Sequence, residues 1–173
     1  QTRIARRHRI EALTDSLTGL LNRRALFESQ AGKTLNPGHA VIVFDLDRFK
    51  SINDRHGHAV GDDVLRLFAD AVREGLREGD IAARTGGEEF VVVMANASAQ
   101  HAAGAAERVR ARFAAGHVET SVGPLSATAS AGVALAREGG ESFDAVLHRA
   151  DTSLYRAKDG GRDRVVSELQ AVA

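Results

Sequence analysis

Arg84 to Met94 reads "RTGGEEFVVVM". A glycine pair and two adjacent acids part the run "DIAART" (Asp80 to Thr85) from "EFVVVM" (Glu89 to Met94). Two short strand-forming runs around a glycine turn predict a hairpin. A hairpin needs the turn, but it does not need two mutually repelling carboxylates at its tip. The other decisive run lies upstream. "HAVIVFDLD" (His39 to Asp47) is short, apolar and β-branched, and it ends in two aspartates. It predicts a buried strand. Asp45 closes that strand, where an acid is costly without a partner. Strand alternation puts Asp45 and Asp47 off the face that Leu46 occupies. If the two strands are neighbours, Asp45 and one of Glu88 and Glu89 converge.

Composition narrows what such a cluster can serve. The chain has 173 residues, which predicts one domain or one domain with an appendage. With 43% hydrophobic and 27% charged residues it has the balance of a globular fold. Its formal net charge is zero, so no global basic field favours nucleic acid. No apolar run approaches the roughly 18 residues of a membrane span. The absence of cysteine excludes disulfides and thiolate metal sites and fits a reducing compartment. Carboxylates without thiols or a histidine cluster suit a hard cation, magnesium or manganese. Magnesium takes few protein ligands and completes its shell with water and substrate phosphates, which points to a nucleotide. Among the 23 Lys and Arg residues only Lys33, Lys50 and Lys158 are lysines. Two of these sit inside dense polar motifs. A chain that begins at Gln1 without methionine reads as a piece of a longer protein.

The remaining elements follow from periodicity and breakers. Residues 1–13, "QTRIARRHRIEAL", form the basic end of a linker or stalk helix, with Ile10 and Leu13 on one face. Residues 14–173 form the domain proper. Gly19 breaks the chain, and Asn22 caps a helix to about Gln30. A short helix starts in "RFKSINDRHG", and a longer one runs to about Leu76 with Leu65, Phe68 and Val72 on one face. Ser98 to Ala115 and Ser142 to Lys158 are helices. "HVETSVG", "LSATASAGVAL" and "DRVV" read as strands, the second pairing with Val41 to Phe44. Strands and helices alternate around one hairpin, giving an α/β (α+β) sheet, part antiparallel, with helices packed on it.

Taken together, these blocks resemble a known family. "FDLDRFKSINDRHGHAVGD" followed by "RTGGEEF" resembles the GGDEF domains of diguanylate cyclases, in a GGEEF form. "DSLTGLLNRR" upstream, and "SAGVA" and "RADTSLYRAKDGGRDRV" downstream, are similar to further family motifs in the same order. The similarity runs from about Leu13 to Val166. Thr85 stands where the family often has an aromatic residue, and Asp163 where asparagine is common.

The resemblance implies a fold: a mostly antiparallel five-stranded sheet flanked by helices, like nucleotidyl cyclases and polymerase palms. It implies an activity: two GTP condense to cyclic di-GMP, releasing two pyrophosphates. Asp45, the Leu46 carbonyl and Glu88 correspond to magnesium ligands, with Glu89 a second metal-side acid. Glu88 also corresponds to a residue assigned as general base, and the sequence leaves ligand and base both open. The loop of Leu46, Asp47, Arg48 and Phe49 is expected to offer backbone N–H groups to phosphates at a helix start. Lys50, Lys158 and Arg162 correspond to cationic phosphate contacts. Asn53 and Asp62 correspond to guanine-reading positions, where a carboxylate accepts the paired N1 and N2 donors that adenine lacks. His58 lies between them with an open role.

Further implications concern regulation. Arg77 and Asp80 of "REGD" match an inhibitory product site, completed by Arg108 or Arg110, which the sequence does not rank. Arginine suits it by pairing with phosphate oxygens and stacking on guanine. The partners implied are GTP, cyclic di-GMP, a second copy of the domain across which catalysis occurs, and an upstream sensory or receiver domain. A cytoplasmic domain is expected, in a protein that an upstream region can anchor to a membrane. The alternative class is a non-catalytic receptor for cyclic di-GMP or GTP, whose signature residues would be eroded.

Overall fold

A computed structural model describes residues 3–168; residues 1–2 and 169–173, the outer ends of the two expected segments, lie outside it. In chain order the elements are α1 (Arg3–Leu13), β1 (Leu21–Asn22), α2 (Arg23–Gln30), β2 (Thr34–Leu35), β3 (Ala40–Leu46), α3 (Phe49–His56), α4 (His58–Gly75), β4 (Ile81–Arg84) and β5 (Glu89–Met94). They continue with α5 (Ala99–Ala115), β6 (Val118–Thr120), β7 (Gly123–Leu125), β8 (Ala129–Leu135), β9 (Glu141–Ser142), α6 (Phe143–Asp159) and β10 (Val165–Ser167).

The run Ala40–Leu46 is apolar without alternation because β3 is covered on both faces. It pairs antiparallel with β5 from Ala40↔Met94 to Asp45↔Glu89, and antiparallel with β8 from Ala40↔Leu135 to Leu46↔Ala129. The sheet order is β1-β4-β5-β3-β8-β10. On one face Ile42, Phe44, Phe90 and Val92 pack against Phe68 of α4 and Phe113 of α5. Phe68 is the hub there, with ring centroids 5.4 Å from Phe44, 4.6 Å from Phe90 and 5.1 Å from Phe113. On the other face Val41, Val43, Val91 and Val93 meet Leu26 of α2 and Val146, Ala150 and Leu154 of α6. The result is a three-layer sandwich with the sheet in the middle.

The expected helices and hairpin are present. Asn22 caps α2 by accepting the Ala25 N–H at 2.8 Å, and Ser98 and Ser142 cap α5 and α6 in the same way. The expected sheet of five strands has six. The addition comes from the two-residue β1, which lies parallel to β4 through Leu21↔Ala83 and Asn22↔Arg84, as β10 lies parallel to β8 at the other edge. "HVETSVG" does not join the sheet; it folds off as a ribbon of β6 and β7. Two-residue edge strands carry no alternation for sequence to reveal. Helix α1 contributes no buried residue. No helix among the described residues is long and apolar enough to cross a membrane.

Gly132 sets the height of α6 above the sheet. A Cβ there would lie 2.1 Å from the Ala150 carbonyl oxygen and 2.2 Å from the Leu154 nitrogen, so the helix backbone rests directly on β8. That approach carries the far end of α6 to the end of β3. Gly132→Ala is expected to cost about 1–3 kcal/mol through overpacking, seen as a lower urea midpoint at unchanged m-value.

Candidate active site

The hairpin turn is held by its own hydrogen bonds and by an arginine. The Thr85 and Gly86 N–H groups both donate to the Glu89 carbonyl, at 2.9 and 3.3 Å. The Thr85 hydroxyl donates to Glu89 Oε1 at 3.0 Å. Arg84 folds back so that Nε and Nη2 donate to the Gly87 carbonyl at 3.1 and 2.8 Å. Its Nη1 donates to both Asp15 oxygens at 3.3 and 3.4 Å. Asp15 also accepts the Thr18 N–H and hydroxyl at 2.9 and 2.7 Å. The segment between α1 and β1 is thereby tied to the turn. Neither Gly86 nor Gly87 has a positive φ, and a Cβ on Gly87 would meet nothing within 4 Å. A Cβ on Gly86 would make an ordinary contact with Glu89 Cβ at 3.4 Å, so neither glycine is demanded by the turn, and Gly87 leaves bare backbone facing open space.

Asp45 and Glu89 sit opposite each other in the β3–β5 ladder, so their side chains share a face. The Glu88 carbonyl accepts the Leu46 N–H at 3.2 Å, which seats the tip against the end of β3. Lys158 Nζ, from the last turn of α6, lies 2.9 Å from Asp45 Oδ2. Burial pushes the Glu88 carboxyl above its usual range; the charges of Asp45 and Glu89 add to this and Lys158 partly offsets it. Among the described residues no three acidic or histidine side chains close into a metal cage. The oxygens of Asp45, Glu88 and the Leu46 carbonyl are a sparse hard-donor set at one edge, and an ammonium already pairs with Asp45. That set fits magnesium, which leaves most of its shell to water and phosphate.

The loop after β3 needs a correction. The N–H groups of Leu46 and Asp47 are spent inside the protein, on the Glu88 carbonyl and on the Thr128 carbonyl at 2.8 Å. Of the expected phosphate loop, only Arg48 and Phe49, at the open end of α3, keep N–H groups outside these bonds. Arg48 holds the left-handed conformation, φ 55°, without a side-chain cap. The Asp47 side chain also turns inward: it is 6% exposed and accepts from the hydroxyls of Thr128 and Ser130, both at 2.7 Å.

Lys50 and Asn53 follow on α3, and exposed His58 and part-buried Asp62 on the first turns of α4. Asn53 Oδ1 is buried without a hydrogen-bond partner among the described residues, and a Cβ on Gly61 would lie 1.9 Å from it. Glycine at 61 is what lets the amide occupy that place. Arg162 is exposed, in the turn that follows α6.

At the distant site, the Arg77 N–H donates to Asp80 Oδ2 at 3.0 Å, and Arg77 Nη2 to the Ala95 carbonyl at 3.3 Å. Arg108 reaches the same corner, donating to the Gly75 carbonyl at 3.2 Å. Arg110 does not. It pairs with Glu107 and, through Nη1, with Asp163 at 2.6 Å. Positions two apart on a helix face different ways: Arg108 turns to the end of α4, and Arg110 to Asp163. Sequence reading also passed over Asp15 and Arg84 as supports of the turn. The available signal was an acid three residues before Thr18, a local turn pattern.

Asp15 gives this support a pH dependence. Burial alone would raise its pKa, but the Thr18 hydrogen bonds and the Arg84 guanidinium outweigh it and hold the carboxyl below its usual value. The stability it contributes is complete above the unfolded carboxyl value of about 4. It is lost as pH falls through the lower folded value. Asp15→Asn is expected to cost about 1–3 kcal/mol at pH 7, as for a hydrogen bond to a charged group. In denaturant titrations the gap from the parent should narrow in acid.

Comparison with known proteins agrees with this geometry. Residues 12–164 match the family model described as diguanylate cyclase, GGDEF domain. The chain is 46% identical over 162 residues to diguanylate cyclase DgcP of Pseudomonas aeruginosa, covering 91% of this chain and 24% of that protein. It is 39% identical over 169 residues to the response regulator PleD of Caulobacter vibrioides, covering 93% of this chain and 37% of that one. It therefore spans only about a quarter to two fifths of these relatives. Among solved structures, the coiled coil and GGDEF domain of DgcB from Caulobacter crescentus, in complex with c-di-GMP, superposes with a TM-score of 0.85 at 32% identity. That match covers 95% of this chain and 90% of the other. A carboxylate pair at the end of β3 and β5, a lysine from α6 beside it and a family match over nearly the whole chain lead to one conclusion: this chain belongs to the GGDEF domain family of diguanylate cyclases.

Proposed function

We propose that this domain condenses two GTP molecules into cyclic di-GMP and two pyrophosphates. The observation that carries the reading is the meeting of Asp45, Glu88 and Lys158 at one open sheet edge, with Lys158 Nζ 2.9 Å from Asp45. In an eroded receptor nothing would maintain like charges so close together. Asp45, Glu88 and the Leu46 carbonyl would hold magnesium (or manganese), with Glu89 beside them. The bound ion would neutralise phosphate charge and ease deprotonation of the attacking 3′-hydroxyl.

The chain's own groups do the rest. Lys50, Lys158 and Arg162, with the free N–H groups at the start of α3, take the triphosphate oxygens. Bare backbone at Gly86 and Gly87 lets the nucleotide come close to the turn. Asp62 accepts the N1 and N2 donors of guanine, and the Asn53 amide serves a further base edge. Glu88 would either hold the ion or take the 3′-hydroxyl proton, and its carboxyl, raised by burial and by the Asp45 charge, supports the second role. Each domain binds one GTP, so the reaction needs two copies face to face, each hydroxyl aimed at the other's α-phosphate. Positioning and electrostatics supply most of the acceleration. Arg77, Asp80 and Arg108 form the inhibitory product site. The exposed basic helix α1 connects to an upstream regulatory domain of a cytoplasmic signalling protein.

The test is a protein-concentration series with GTP and magnesium, read by nucleotide chromatography after bound cyclic di-GMP has been stripped. Cyclic di-GMP should form with greater than first-order dependence on protein. Glu88→Ala should lower the rate by at least about 100-fold, as expected on losing a transition-state stabiliser. No product at any concentration would overturn the reading.

A further inference from the structure

Arg162 lies outside any helix or strand, yet its backbone is tightly specified. It and Asp163 both hold the left-handed conformation, with φ 64° and 46°. Consecutive non-glycine residues do not stay there unless their surroundings hold them. The support converges on Asp163 from two sides. Its N–H donates to Asp47 Oδ2 at 3.0 Å, and its carboxylate accepts from Arg110 Nη1 at 2.6 Å. Asp47 is braced by Thr128 and Ser130 of the β8 segment, and Arg110 by Glu107 on its own helix at 2.8 and 2.5 Å. The end of β3, the start of β8 and α5 are thus joined to one turn.

The consequence concerns distance. Asp47 stands two residues after Asp45 and one after Leu46. The carboxylate that pins the turn is therefore anchored to the same strand end as the acids. It ties the backbone that carries Arg162 to that strand end, beside the bond from the Arg162 N–H to the Ala157 carbonyl of α6 at 3.0 Å. Lys158 needs no such device, because α6 is seated on Gly132. The Arg162 side chain has no ion pair among the described residues.

We propose that Asp47 and Arg110 are positioning residues for catalysis, acting through Asp163 to aim Arg162 at the substrate's phosphates. The inference rests on reading Arg162 as a phosphate contact. Its test measures binding of 3′-deoxy-GTP with magnesium, a nucleotide that lacks the attacking hydroxyl, by calorimetry. The proteins compared are the parent chain, Arg110→Met, Arg162→Ala, the double variant and Arg110→Lys. Arg110→Met should weaken binding roughly fivefold to tenfold, within the coupling range of one hydrogen-bond network. The double variant should bind no more weakly than Arg162→Ala alone, and Arg110→Lys, which keeps the charge but not the fork, should recover only part of the loss. Asp47→Asn should show the same dependence on Arg162 where it folds; the partly exposed Arg110 supplies the test where it does not. Unchanged binding in Arg110→Met, or an equal loss with and without Arg162, would overturn the positioning role while leaving the phosphate reading intact. Parent-like binding by Arg162→Ala would instead remove the phosphate reading, and the positioning role with it.

Discussion

Asp45 faces Glu89 because β3 and β5 pair in register from Ala40↔Met94 onward. Everything at the active edge depends on that register. A slip of one residue would send Asp45 toward the Phe68 face and bring Phe44 to the edge. The two-sided core forbids the slip, since Ile42 and Phe44 fill one face while Val41 and Val43 fill the other. Like charges are therefore forced together by apolar packing several residues away. Burial raises the Glu88 carboxyl beside them, the charges of Asp45 and Glu89 raise it further, and Lys158 partly offsets this.

The chain's preference for arginine acquires a physical reason in this setting. Arginine's planar fork can hold two or three acceptors at once. Arg84 joins Gly87 to Asp15, and Arg110 joins Glu107 to Asp163. Arg149 joins Glu141, Glu168 and the Leu135 carbonyl at the opposite end of α6. These are struts between segments distant in sequence. Lysine, a flexible point charge, holds one part-buried acid, Asp45, near the end of β3, where a guanidinium would fix the geometry more rigidly.

Stability and chemistry are kept apart in the same way. The segments that carry candidate functional groups are turns and helix starts: Arg48, Arg162 and Asp163 in left-handed conformations, and Glu88 raised by its neighbours. Inward-facing Asp47 holds the Asp163 turn, and part-buried Asp15 holds the hairpin tip through Arg84. The open groups stay free for substrate because others are committed to the protein.

Much of this was legible in the chain. Asn22, Ser98 and Ser142 announced their helices because capping is a local interaction within three residues. The run His39–Asp47 announced a buried strand by composition alone. Asp45, Glu88, Asn53, Asp62 and Lys158 stood out as candidates by motif and side-chain type. The sequence could not say that β1 would add an edge strand, that the N–H groups of Leu46 and Asp47 are consumed internally, or that Arg108 turns to the Gly75 carbonyl while Arg110 pairs with Asp163. It also could not say that Asp47 turns inward to a residue 116 positions away. Local periodicity and side-chain chemistry are properties of neighbours along the chain and can be read there. Which donor meets which acceptor across such distances is fixed only when the sheet's register and the height of α6 over Gly132 bring the segments together.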